Sequence, residues 1–430
     1  MNTSEYLVDQ LTNGVRVVTV PMPHLHAVEL VCYVAVGGRC EPLPQSGISH
    51  FLEHMLFRGT AEFATSTELE RAFEAIGGAV NASTDSETTC FHSRIHPDHV
   101  AHGVALFASM LRRPRFNDMD TERRIILEEA REDFNEKGEQ INPDNLMMEL
   151  LWPEHPLGAS LIGSPQTLER IDRQRLEDYY RSWYHPDNLV ICACGPVNRQ
   201  QLVAAADREF GDWSQRPLIP IEPVVDSVQT QPQGRWVRDS DSQVSVQLAF
   251  RLPGRRDQRI TAVRVLRRVL GCGAGARLPL RLREDLGLTY GVDVGCHLLD
   301  DTGCLTIDLA VAPASLVTVL GEMFTVLRTL REEAVAGDEF SAAVRTYLFD
   351  LEFSRDQCES LSMRYGWGLQ AGYLRTLQQD REDLLALTPE QVRQAAAELF
   401  VPAAMNLVVV GPWSQRQRQQ AEQLLHQSGL

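Results

Sequence analysis

The sequence predicts an α+β fold of two related domains, each a mainly antiparallel sheet covered by helices on one face. Three observations predict it. The chain has 430 residues, 43% apolar and 23% charged, which suits two units of about 200 residues better than one core. It carries a faint copy of itself: residues 27–37 alternate like a half-buried strand and end in glycine, and residues 244–254 do the same about 217 positions later. Between the copies, Arg216 to Gly234 holds four prolines and little periodicity, the mark of a linker. The expected division is therefore 1–215, a linker 216–234, and 235–430.

Taken in order, the elements follow from periodicity and stop signals. The run Ser66 to Ile76 places Leu69, Phe73 and Ile76 at helical spacing and stops at Gly77-Gly78. Thr121 to Glu136 reads as a helix with Ile125, Ile126 and Ala130 as its buried stripe. Each half then closes on a helical run followed by a strand that ends in Gly-Pro: Leu168 to Tyr184 and Asn188 to Pro196, then Pro389 to Phe400 and Asn406 to Pro412. Two matched landmarks at one offset point to duplication of a single unit.

Composition narrows the function classes. A net charge of −17 repels nucleic acid and favours basic peptides. No apolar run reaches the roughly 18 residues a membrane helix needs, so no membrane role is expected. The nine cysteines are scattered, with no Cys-x-x-Cys pair, which favours free thiols in a reducing compartment over a disulfide framework. The first residues lack the basic and apolar regions of a secretory signal. A cytoplasmic location is the expectation.

The segment that carries chemistry is Gly47-Ile-Ser-His50-Phe-Leu-Glu53-His54-Met-Leu-Phe. In a helix, residues four apart lie one turn above each other, about 6 Å along the axis, so His50 and His54 can face one cation. Glu53 borders the same face without needing to ligate, as a general base for a metal-activated water would. The order inverts the commoner His-Glu-x-x-His arrangement, and the inverted form is itself a zinc-peptidase signature. Ser49 is a candidate cap, but Leu52 stands where a capping box wants Glu or Gln, so the helix start stays open. Phe51, Leu52, Met55, Leu56 and Phe57 make the helix apolar almost all round. Polar groups on a buried helix need partners, and a metal satisfies them in one step. Zinc then lacks a third protein ligand, and the run Glu122 to Glu129 offers Glu122, Glu128 and Glu129. Spacing alone does not choose among them.

With Gly37-Gly-Arg-Cys-Glu-Pro42 ahead of it and Phe57-Arg-Gly-Thr60 behind it, this block resembles the metal-binding region of the pitrilysin-like peptidases. The resemblance covers nearly the whole chain and implies a zinc endopeptidase built as one half of a two-part chamber. Seventy-four residues lie between His54 and Glu129, the spacing at which the family places its third ligand. The resemblance therefore assigns Glu129 to the metal, Glu122 to a supporting role and Glu128 to the surface. It makes Asn81, Ala82 and Thr84 part of a strand on which substrate is laid. It also makes Arg283 and Tyr290 a substrate clamp, with the tyrosine hydroxyl stabilising an oxyanion. One departure stands out: Gly275-Ala-Arg-Leu-Pro279 carries a proline where the family often has phenylalanine, at a helix start. The implied partners are a peptide substrate and a second subunit, either a copy of this chain or a related one.

Overall fold

The computed structural model describes residues 5–217, 219–224 and 229–427. The chain forms two compact units, and each draws on both halves of the sequence. Unit 1 comprises residues 1–130, 159–222 and 352–377; unit 2 comprises 131–158, 223–351 and 378–430. The expected linear division is thus corrected in two places: residues 131–158 belong with the second sheet, and 352–377 with the first. Residues 218 and 225–228 of the expected linker lie outside the described residues; the described part holds no helix or strand before Gln233.

Unit 1 is built on a six-stranded sheet in the order β1-β2-β6-β3-β5-β4. Its strands are β1 (Leu7–Gln10), β2 (Arg16–Pro21), β3 (Val28–Val34), β4 (Val80–Thr84), β5 (Thr89–Ile95) and β6 (Leu189–Gly195). Only β2 and β6 pair in parallel; the other neighbours are antiparallel. Every residue of β3 is buried, because both faces of the sheet are covered. On one face Leu30, Cys32 and Val34 join a core with α1 (Ile48–Leu56), α2 (Ser66–Glu74), α3 (Val100–Arg112) and α4 (Met119–Ala130). On the other, the Tyr33 hydroxyl meets Ser362 at 3.1 Å, and a Cβ on Gly366 would stand 2.6 Å from the Tyr33 ring. The expectation of helices on one face is corrected here, since the returning 352–377 segment supplies the second layer.

Unit 2 repeats the plan with five strands, in the order β7-β11-β8-β10-β9. These are β7 (Gln233–Val237), β8 (Val244–Pro253), β9 (Thr289–Leu298), β10 (Thr302–Val311) and β11 (Asn406–Val410). Again one pair, β7 and β11, is parallel. α5 (Pro143–Leu151) lays Leu146, Met147 and Leu151 against Ala249, Cys304 and Val408. The helices Ile260–Gly271, Leu316–Glu332 and Pro389–Leu399 bury apolar stripes of their own, and Phe250 meets Phe400 edge-on at 5.1 Å. The last of these helices starts at a capping box, Thr388 with Gln391.

The two Gly-Pro landmarks are equivalent in detail. Gly195 and Gly411 both hold positive φ, 144° and 134°, a region nearly closed to other residues. A Cβ on either would stand 2.6 Å from the carbonyl just ahead of the neighbouring antiparallel strand, Ala27 before β3 in one unit and Gln243 before β8 in the other. Among the described residues no helix is long and apolar enough to cross a membrane.

Candidate metal centre

α1 explains itself by burial. Seven of its nine residues are buried, and the two that are not are His50 and His54. Its N-terminus lacks a side-chain cap of its own: Gly47 stands at the N-cap with φ 93°. Glu41, six residues upstream, does the capping. Its carboxylate accepts from the Gly47 and Ser49 amides at 2.7 and 2.8 Å, so orphan donors of the first turn are satisfied. The Ser49 hydroxyl meets Tyr179 at 2.8 Å instead. Burial pushes the Glu41 carboxyl up to about 8 despite those amides.

α4 brings up the acids. Its buried stripe is Glu122, Ile126 and Ala130, while Ile125 is exposed. That corrects the expected stripe: a carboxylate takes the buried place because it is paired twice. Glu122 Oε1 lies 2.7 Å from His54 Nδ1, and Arg58 donates to Oε2. Burial works against the charged Glu122, but these two partners prevail and hold its carboxyl below the usual range. With the Nδ1 proton of His54 directed at Glu122, its Nε2 carries the lone pair.

Three ligand atoms converge. His54 Nε2 stands 3.2 Å from His50 Nε2, and Glu129 places its two oxygens 3.9 and 4.0 Å from those nitrogens. One ligand atom from each of His50, His54 and Glu129 falls within 4.8 Å of the others. Burial, with His54 alongside, pushes His50 down to about 4, leaving it the neutral imidazole a metal requires. For His54, burial pulls downward, but the Glu122 hydrogen bond and the charges of Glu122, Glu53 and Glu129 raise it above its ordinary value. Two imidazoles and one carboxylate are the donor set of a catalytic zinc site. The residues present fit zinc. Glu128 is exposed.

Glu53 borders this cluster, is 8% exposed, and accepts from the Thr84 hydroxyl at Oε2. Burial raises its carboxyl above the normal range, while Thr84 and His54 pull the other way. Asn81, Ala82 and Thr84 lie on β4, the edge of the sheet, paired on one side to β5. Asn81 is exposed; Thr84 is half-buried and spends its hydroxyl on Glu53.

Arg283 and Tyr290 belong to unit 2 and stand near each other, with the guanidinium 5.4 Å from the ring centre. Tyr290 is 88% exposed. Pro279 opens the wide helical turn Pro279–Asp285 that carries Arg283. Arg277, just before it, is held by both oxygens of Glu339 at 2.9 and 2.8 Å. Sequence reasoning missed two contributors, Glu41 and Arg58. Arg58 had a signal, since it lies one turn beyond His54; Glu41 had none, because its role depends on a fold-back.

Comparison with known proteins decides the family. The description "Insulinase (Peptidase family M16)" matches residues 16–164, and "Peptidase M16 inactive domain" matches residues 170–347. The chain belongs to peptidase family M16. This M16 chain is 28% identical over 407 residues to an uncharacterized zinc protease of Mycobacterium bovis, covering 94% of this chain and 92% of that one. It is 28% identical over 403 residues to an uncharacterized zinc protease of Bacillus subtilis, covering 90% and 94%. A protease from Helicobacter pylori shares the fold, with a TM-score of 0.87 at 20% identity over 95% of this M16 chain and 99% of that one. The metal cluster lies wholly within the stretch matched as insulinase.

Proposed function

We propose that the chain is a zinc-dependent endopeptidase that cuts unstructured peptides or leader and precursor segments. One observation carries the reading: His50, His54 and Glu129 place ligand atoms within 4.8 Å of one another, beside a buried Glu53 that is not among them. Bound there, zinc would supply Lewis acidity, easing deprotonation of water and polarising a peptide carbonyl. Glu53 takes the proton of the attacking water at Oε1, the oxygen Thr84 leaves free, and returns it to the departing amide nitrogen. Thr84 fixes the carboxylate for this transfer, so its role is positioning as well as substrate contact. β4 offers its open edge, including Asn81 and Ala82, to an extended peptide. Arg283 donates to a substrate carbonyl, and the Tyr290 hydroxyl stabilises the oxyanion.

By the family resemblance the enzyme works as a dimer that encloses its substrate, as a homodimer or with a related subunit. The cytoplasm suits it, since all nine cysteines are free thiols. A second reading, a non-catalytic scaffold or a subunit of a heterodimeric processing peptidase that needs a partner for activity, draws on the "inactive domain" description matched by residues 170–347. The test is turnover of a mixed pool of unstructured peptides by the zinc-loaded chain beside Glu53→Gln. Cleavage that vanishes in the variant while zinc stays bound supports the peptidase. Zinc binding without cleavage in either protein supports the second reading.

A further inference from the structure

The two sheets differ at one end. In unit 1, β1 pairs along β2 and closes that side of the sheet. In unit 2 the equivalent strand is β7, parallel to β11 as β2 is to β6, and among the described residues no strand pairs with its outer side. The β7–β11 ladder uses the odd residues: the Gln233 amide donates to Met405, and the Gly411 amide donates to Val237. Parallel pairing alternates, so the amides and carbonyls of Gly234 and Trp236 face away from β11.

A cavity of 660 Å³ lies against this edge, lined by Gly234–Arg238 along the strand and by Lys137–Gln140 of a turn. That turn is ordered by amide bonds from Asn135 to Glu139 and from Gly138 to Asn135, and the Asn135 side chain reaches the Arg238 carbonyl at 3.3 Å. Trp236 and Trp413 form an aromatic wall, edge to face at 5.4 Å. Arg238 lies over Trp413 at 4.8 Å, and Arg418 over Trp413 at 5.9 Å.

The lining holds four basic side chains and one acid, Glu139, in a chain whose net charge is −17. Glu139 accepts from Asn135, and Arg418 pairs with Glu422 at 2.8 Å. Lys137, Arg235 and Arg238 have no carboxylate partner among the described residues. A free strand edge, flanked by uncompensated cations and an aromatic wall, has the features of a site for strand addition.

We propose that β7 binds an extended acidic segment of a partner polypeptide, which takes the position β1 holds in unit 1. Its backbone pairs with Gly234 and Trp236, and its carboxylates meet Lys137, Arg235 and Arg238. This site shares no residue with the metal cluster and does not depend on the chain being catalytic.

The experiment uses the full chain carrying Glu53→Gln, so that no peptide is consumed. A fluorescent peptide alternating glutamate and valine is titrated by anisotropy, beside a lysine–valine control. The proposal expects saturable binding of the acidic peptide alone, weakened about tenfold or more by Arg235→Glu with Arg238→Glu. It also expects slower amide exchange at Gly234 and Trp236 when the peptide is added to the chain without those changes. That second readout stands whether or not the double variant folds. Binding that survives the double variant, with no added protection at β7, overturns the proposal. So does equal competition by free glutamate, which would mark an anion site rather than a strand site.

Discussion

Replacing Glu122 by alanine leaves the His54 Nδ1 proton without its acceptor and Arg58 without its partner. Neither change touches a ligand atom, yet both loosen the ring that presents Nε2. Zinc affinity is expected to fall about 10- to 100-fold in Glu122→Ala, and less in Arg58→Ala, as read by competition with a chromogenic chelator. Equal affinity in the native chain and Glu122→Ala would contradict the role given to Glu122. The same ring sets a pH dependence. Zinc and a proton compete for His54 Nε2, and the surrounding carboxylates raise that imidazole above its ordinary 6.5. Affinity therefore falls as the medium is acidified through that range; a flat profile down to about pH 5 would contradict it.

At the scale of elements, α1 depends on Glu41. The folded carboxyl sits at about 8 against an ordinary 4.5, so the folded state holds more protons than the unfolded one between these values. Its contribution to stability is full below 4.5 and is lost as pH rises through 8. The melting temperature of Glu41→Gln should gain on that of the native chain as pH climbs from about 5 to about 9; a constant gap would count against this. Gly195→Ala should cost about 1–3 kcal/mol or more in denaturant unfolding, because positive φ and the Ala27 carbonyl both oppose a side chain. Gly411→Ala should behave alike.

Much at this scale was legible in the sequence. The strands within 27–37, 188–196, 244–254 and 406–412, the helix bearing His50 and His54, and the Gly-Pro landmarks declare themselves by periodicity and breakers, whereas β1, β2, β7, β9 and β10 were not read from the sequence. The stripe of α4 did not. Periodicity assigned Ile125 to the core, whereas Glu122 occupies that side because Arg58 and His54 neutralise it. A sequence shows which residues are apolar; it does not show which acid has found two partners.

Across the whole molecule, the reading missed the exchange of segments. Residues 131–158 and 352–377 look like ordinary helical stretches of their own halves, and periodicity carries no label for the sheet that an apolar face will meet. The consequence is that neither unit is a contiguous piece of chain, so cutting at 216–234 should yield fragments that do not fold alone. Circular dichroism of the separate halves, with and without mixing, checks this: cooperative melting of an isolated half would contradict it. The proposed dimer also makes a prediction. If Tyr290 of one subunit serves the metal site of another, mixing inactive Glu53→Gln with inactive Tyr290→Phe should restore about a quarter of native turnover, since half the dimers gain one intact site. No recovery would mean that the two residues act within one chain.

The metal centre is tested by the zinc content of the purified full chain, measured by mass spectrometry of the metal beside His50→Ala, His54→Ala and Glu129→Ala. One zinc per native chain is expected, sharply reduced in each variant with the fold retained by circular dichroism. A native chain without zinc, or one whose zinc survives loss of both histidines, would contradict it.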